Sequence, residues 1–113
     1  MRGNHDSHAG DPPASWRIPV VDDPHPRAPF VLCHEPRSPR TGYALCGHVH
    51  PGIFLSDGAF DSARLPCFLL GRKRALLPAF GRLTGLALVT PGADETIVAI
   101  AGARLFALPR RAA

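Results

Sequence analysis

Two short apolar runs constrain this chain more than any other feature. Pro29, Phe30, Val31, Leu32 and Cys33 follow one another without a polar interruption, and so do Tyr43, Ala44, Leu45 and Cys46. Continuous apolar runs of this length are the pattern of strands buried on both faces, as in parallel sheets. Each run delivers histidine at its C-terminal end: His34 directly after the first, His48 and His50 just after the second. Open α/β sheets build their sites beyond the carboxyl ends of such strands. Two parallel strands that both end in histidine therefore point to one shared site.

The second run leads into Cys46-Gly47-His48-Val49-His50-Pro51-Gly52. In extended backbone, residues i and i+2 point to the same face. On that rule His48 and His50 aim at one point in space, and neutral imidazole is the commonest protein metal ligand.

The rest of the chain reads as short strands joined by turns. With 13 prolines and 11 glycines in 113 residues, long helices are hard to place. The length suits one small domain, and 45% hydrophobic with 19% charged residues fits a folded core rather than disorder. Strands are expected over residues 18–21, 53–55, 66–70, 75–77 and 86–89, with a terminal hairpin of 96–101 and 104–108 around Gly102. Trp16 is expected to anchor the loop of residues 7–17 onto the core. Asp22-Asp23-Pro24-His25-Pro26 is expected to be a solvated turn, because adjacent side chains diverge. Gly71-Arg72-Lys73-Arg74 reads as a hairpin turn with a basic tip.

A net charge of +4 favours contact with anions such as phosphate or nucleic acid, although an ordinary basic surface gives the same number. Cys33, Cys46 and Cys67 are odd in number, include no CxxC pair, and sit in or beside apolar runs. They read as buried free thiols of a reducing, cytoplasmic compartment. Nucleophilic catalysis by Cys33 or Cys46 with His34 or His48 is disfavoured, because apolar surroundings raise a thiol pKa. No segment approaches the roughly 20 apolar residues of a membrane helix, and the polar start of the chain lacks a signal-peptide core.

Gly3-Asn4-His5-Asp6 gathers an amide oxygen, an imidazole and a carboxylate at the N-terminus. Asn offers a ligating oxygen, and Asp can orient a neighbouring imidazole; a polar turn is the plainer alternative. The candidate set is then Asn4, His5, Asp6, His34, His48 and His50. One amide plus imidazoles is mixed N/O ligation, which suits Mn, Fe or Zn better than Mg or Ca. A closed structural zinc site would call for cysteine. Ions held this way polarise phosphoryl oxygens and lower the pKa of bound water.

Gly3-Asn4-His5-Asp6, a strand ending in His34, and Gly47-His48-Val49-His50 together resemble the second half of the calcineurin-like metallophosphoesterase superfamily. His34-Glu35-Pro36, Leu65-Pro66-Cys67-Phe68, and Leu77-Pro78-Ala79-Phe80-Gly81 with Thr84-Gly85 are similar to its bacterial ligase-associated DNA-damage-response endonuclease type. The resemblance runs from Arg2 to about Leu108. It implies an α/β four-layer sandwich, of which residues 1–113 form a mostly β C-terminal half with few helices. It implies hydrolysis of phosphoester bonds, DNA among the candidate substrates, at a two-metal site with divalent ions, Mn first. Asn4, His34 and His48 would bind one metal and His50 the other. His5 would act as proton donor or charge stabiliser, with Asp6 orienting it. A DNA ligase or helicase system is the partner that the resemblance brings with it. The superfamily's Asp-x-His and Gly-Asp motifs have no counterpart ahead of Gly3, and Asp6-Ser7-His8 overlaps the Asn-His-Asp motif, so it cannot supply one. The expectation is therefore a truncated product or a mis-assigned start. The alternative function is a non-catalytic basic β domain that binds metal or nucleic acid.

Overall fold

The computed structural model describes residues 1–58 and 61–110. Among these, nine strands join in one mixed sheet. They are β1 (His25–Arg27), β2 (Phe30–Cys33), β3 (Tyr43–Cys46), β4 (Pro51–Ser56), β5 (Ser62–Leu70), β6 (Arg74–Leu76), β7 (Ala87–Leu88), β8 (Thr96–Ala101) and β9 (Arg104–Ala107). The order is β1-β2-β3-β6-β5-β4-β7, and β8 pairs with both β5 and β9. The one α-helix among the described residues is α1 (Asp6–Ala9), followed by a 3-10 turn at Ala14–Trp16.

The two apolar runs form adjacent parallel strands, as expected: Phe30 lies beside Tyr43 and Cys33 beside Cys46. β6 continues the parallel set, with Cys46 beside Leu76. The basic segment 71–73 closes the β5–β6 hairpin, where the Gly71 N–H donates to the Arg74 carbonyl at 2.8 Å. β5 serves two sets of partners in succession. Residues 62–66 pair with β4, and residues 67–70 pair with β8. Pro66, which has no N–H to donate, stands at the changeover.

Register shows where the core sits. Directly opposed residues share a face. Cys33, Cys46, Leu76, Leu69 and Ile97 form one transverse row through successive register pairs, and all five are buried. Ile53 is buried against this row, and Val49, Leu65 and Val89 pack at its margin. Cys33, Cys46 and Cys67 are free thiols inside this core. Burial pushes the Cys33 thiol above its ordinary value, with the neighbouring Cys46 thiol adding to the effect, and burial alone does the same for Cys67.

Several expectations fail, each for a physical reason. Residues 18–21 are irregular; the Arg2 N–H donates to the Val21 carbonyl at 3.1 Å, without a ladder. The strand falls instead at His25–Arg27, where a turn was expected, because the chain folds back at residues 28–29 and lays that segment antiparallel on β2. Pro26 is tolerated there because β1 is an edge strand. Trp16 does not reach the core: it is 64% exposed on the 3-10 turn. The apolar runs are buried on one face rather than two, and Phe30 is 42% exposed. The mostly β content holds, but the α/β layers of a four-layer sandwich are not seen among the described residues, where helix is nearly absent. No described helix is long and apolar enough to cross a membrane.

The thiols generate a prediction. A thiol with a raised folded-state pKa contributes stability that is present below the unfolded pKa and lost as pH rises toward and through the folded one. The urea midpoint should therefore fall as pH climbs above about 8.5, the ordinary thiol value, and Cys67→Ala should flatten part of that fall. A midpoint equally steep with pH in wild type and variant would contradict the assignment.

Candidate metal centre

The carboxyl ends of β2 and β3 bring the sequence candidates together. His34 is the first residue beyond Cys33, and its backbone is pinned from two sides. Its N–H donates to Asp23 Oδ1 at 3.0 Å, and its carbonyl accepts from the Gly47 N–H at 3.1 Å. Gly47 also donates to the Cys33 carbonyl at 3.3 Å, so the ends of the two parallel strands are tied. Asp23 in turn lies 3.6 Å from Arg37 Nη2. The expected solvated turn thus gives up one of its two acids to the site: Asp22 is exposed, while Asp23 is partly buried under His34. No local signal marks Asp23, because its partner lies 11 residues away.

The His48–His50 segment departs from the extended-backbone expectation. His48 has φ 68° and His50 φ 54°, both in the left-handed region. Such values are uncommon outside glycine, though His is among the residues enriched there. The Val49 N–H donates to the Gly47 carbonyl at 2.8 Å across His48. A positive φ inside that three-residue turn is the rarer, strained form of γ-turn. Strain of this kind costs on the order of 1–3 kcal/mol per residue and concentrates at functional sites. Its effect here is to send the two imidazoles to different partners. His48 turns toward His34, ring centroids 4.9 Å apart and edge-on, with its Nδ1 3.1 Å from His34 Nε2. His50 instead donates from Nδ1 to the Thr84 carbonyl at 3.1 Å. A carbonyl only accepts, so in this contact the His50 Nδ1 carries a proton.

Asn4 completes the His34 group. Its Oδ1 lies 2.6 Å from His34 Nε2. The approach requires glycine at position 3, since a Cβ there would stand 2.8 Å from His34 Cε1. The segment closes on itself: the Gly3 N–H donates to Asp6 Oδ2 at 2.5 Å, and the Asp6 N–H donates to the Gly3 carbonyl at 3.1 Å. Ser7 Oγ donates to the Asn4 carbonyl at 3.1 Å. Asp6 therefore holds the turn that presents Asn4. His5 itself is exposed at the N-cap of α1.

Three polar atoms thus gather: Asn4 Oδ1 and His48 Nδ1 both lie within hydrogen-bond distance of His34 Nε2. A lone proton on His34 Nε2 can be shared between the other two, whereas a cation placed among them would meet all three at once. Two donors held about 2.1 Å from one ion at right angles lie about 3 Å apart, close to the 2.6 and 3.1 Å that separate His34 Nε2 from its two neighbours. Among the described residues, no group of three or more His, Cys, Asp or Glu side chains is placed to hold a metal ion. His50 stands apart from this group, on the Thr84 carbonyl.

No protein-family model matches the chain, and no curated protein does. Among solved structures it is similar to the crystal structure of Pseudomonas putida nuclease MPE, with 44% identity and a TM-score of 0.81. The match covers 96% of this chain and 52% of that one, so the chain spans about half the length of the nuclease. At that identity over nearly the whole chain, the fold is nuclease-related.

The crowding of Gly3 against His34 is open to test. Gly3→Ala should shift the imidazole nitrogen resonances of His34 and His48 together and leave those of His50, held by Thr84, nearly unmoved. A variant that moves His50 as far as His34 would contradict the grouping.

Proposed function

We propose that this chain carries metal ligands of a metal-dependent nuclease of the metallophosphoesterase type, which hydrolyses phosphoester bonds in nucleic acid. The observation that carries the reading is the convergence of Asn4 Oδ1, His34 Nε2 and His48 Nδ1 within 2.6 and 3.1 Å. These residues would hold one divalent ion and His50 would contribute to a second. The oxygen-and-imidazole donor set suits Mn first, then Fe or Zn. Bound there, such an ion polarises a phosphoryl oxygen and lowers the pKa of bound water.

The chain's own residues do the positioning. Asp23 and Gly47 fix the His34 backbone, the γ-turn fixes His48, and the Thr84 carbonyl fixes the tautomer of His50. An orienting hydrogen bond of this last kind is the usual outer support of a ligating imidazole. His5, next to Asn4 and exposed, would give a proton to a leaving oxygen. Asp6 keeps the turn that presents both. The nuclease neighbour and the net charge of +4 support a nucleic-acid substrate.

One observation favours a second reading, a domain that binds metal or nucleic acid without turnover. The trio contains no carboxylate, and two acids that brace its segments, Asp6 and Asp23, are engaged by backbone amides.

Calorimetric titration of Mn into the 113-residue chain tests the trio. His34→Ala and His48→Ala should each weaken binding by about 10-fold or more, since even outer-shell losses cost 10- to 100-fold, and His50→Ala should leave this first site in place. Hydrolysis of bis-(p-nitrophenyl) phosphate that needs Mn and is lost with EDTA and with His48→Ala supports the nuclease reading. Binding without hydrolysis supports the second. Mn affinity unchanged by both His34→Ala and His48→Ala contradicts the site.

A further inference from the structure

Asn4, His34 and His48 are one amide and two imidazoles, and imidazole ligates a metal in its neutral form. A polynucleotide brings a negative charge at every phosphate, and proteins meet those charges with Lys and Arg, which set the register of the strand. A nucleic-acid substrate therefore calls for a cationic side chain beside this centre. Arg37 stands there.

Arg37 is tied to the centre through Asp23. Its Nη2 lies 3.6 Å from Asp23 Oδ2, while Oδ1 of the same carboxylate accepts from the His34 N–H at 3.0 Å. A single carboxylate thus separates the guanidinium from the backbone of the residue whose ring joins Asn4 and His48. The Arg37 backbone is held as well. Its carbonyl accepts from Cys46 Sγ at 4.0 Å, which lays the 34–42 connection against the end of β3. Pro36 and Pro39, both half-buried, stand on either side. Each fixes its own φ and restricts the residue before it.

The pairing leaves the guanidinium donors unspent. Arg2 hydrogen-bonds Asp11 at 3.1 Å, and Arg72 hydrogen-bonds Asp94 at 3.2 Å. Among the described residues, Arg37–Asp23 is the arginine ion pair without a hydrogen bond. Asp23 has given Oδ1 to His34, and its side chain is 21% exposed against 50% for Arg37. The acid aims the side chain, and the fork of five N–H donors faces solvent for a planar or tetrahedral anion. Phosphate accepts such donors in pairs. The basic segment 71–74 offers no equivalent beside the centre. It lies at the other end of the sheet, where the Ala44 N–H at the start of β3 donates to the Lys73 carbonyl at 2.9 Å, and its Arg72 is engaged by Asp94.

We infer that Arg37 binds a phosphate of the nucleic-acid substrate, the one next to the phosphate at the metal centre, and that Asp23 is the positioning residue that holds it there. The inference rests on the nucleic-acid reading of the site and not on a bound metal.

Fluorescence anisotropy of a labelled oligothymidylate with the full chain in EDTA tests it, with affinity followed between about 50 and 200 mM KCl. Arg37→Gln should lower the slope of log affinity on log salt by about 0.7, the value of one phosphate contact on a single strand. Arg37→Lys, which keeps the charge, should restore the slope. Arg104→Gln, on the far edge strand β9, should leave it at the wild-type value. Calorimetric titration of Mn is the second readout, and Arg37→Gln should bind Mn as the wild type does. A slope unmoved by Arg37→Gln, or lowered as much by Arg104→Gln, overturns the inference, and so does a wild-type chain that binds no oligonucleotide. Mn affinity that falls with Arg37→Gln as far as with His34→Ala would make Arg37 a brace for His34 and overturn it as well. Mn-dependent hydrolysis of bis-(p-nitrophenyl) phosphate decides the nuclease reading separately, because that substrate has one phosphate and no neighbour for Arg37 to hold.

Discussion

The in-register parallel pairing of β2 on β3 sets Cys33 beside Cys46, and the rest of the site follows from it. With those two residues level, Gly47 can donate to the carbonyls of both Cys33 and His34. That places the first residue after one strand against the turn after the other, and His48 meets His34 across the gap. A slip of one residue would turn every side chain of β2 to the opposite face, taking Cys33 out of the buried row. The core and the histidine cluster thus depend on the same register, which explains why short apolar runs and functional side chains are so closely interleaved here.

Backbone strain does the next part. His48 and His50 both hold left-handed φ values, which cost free energy that the surrounding hydrogen bonds must offset. The return is a division of labour between two imidazoles only two residues apart. One joins His34 and Asn4; the other is held by the Thr84 carbonyl. An extended His-Val-His segment would send both to the same place. Asp23, Asp6 and Gly3 are the structural counterparts of this arrangement: two acids spent on backbone amides and one missing side chain that lets Asn4 reach the His34 ring.

Much of this was legible in the sequence, and the illegible parts share a cause. The parallel strands could be read because uninterrupted apolar runs have few other uses. The order of Asn4, His34 and His48 could be read as a motif. What failed depended on tertiary partners. β1 carries His25 and Pro26, with no strand propensity of its own, and exists because β2 offers an edge. Asp23 and Thr84 act on residues far along the chain, and nothing local marks them. The i, i+2 rule misplaced His50 because it presupposes an extended backbone that the γ-turn abolishes. Trp16 and the outer face of the sheet were expected to be buried on hydrophobicity alone, and within these residues nothing covers them.

One measurement tests the proposed three-donor site directly: anomalous diffraction at the manganese edge from crystals of the chain grown with MnCl2. The expected result is a peak within bonding distance of Asn4 Oδ1, His34 Nε2 and His48 Nδ1 together. No peak there, or manganese held only by histidines outside the cluster such as His8 or His25, would contradict the claim that these three residues converge on one cation.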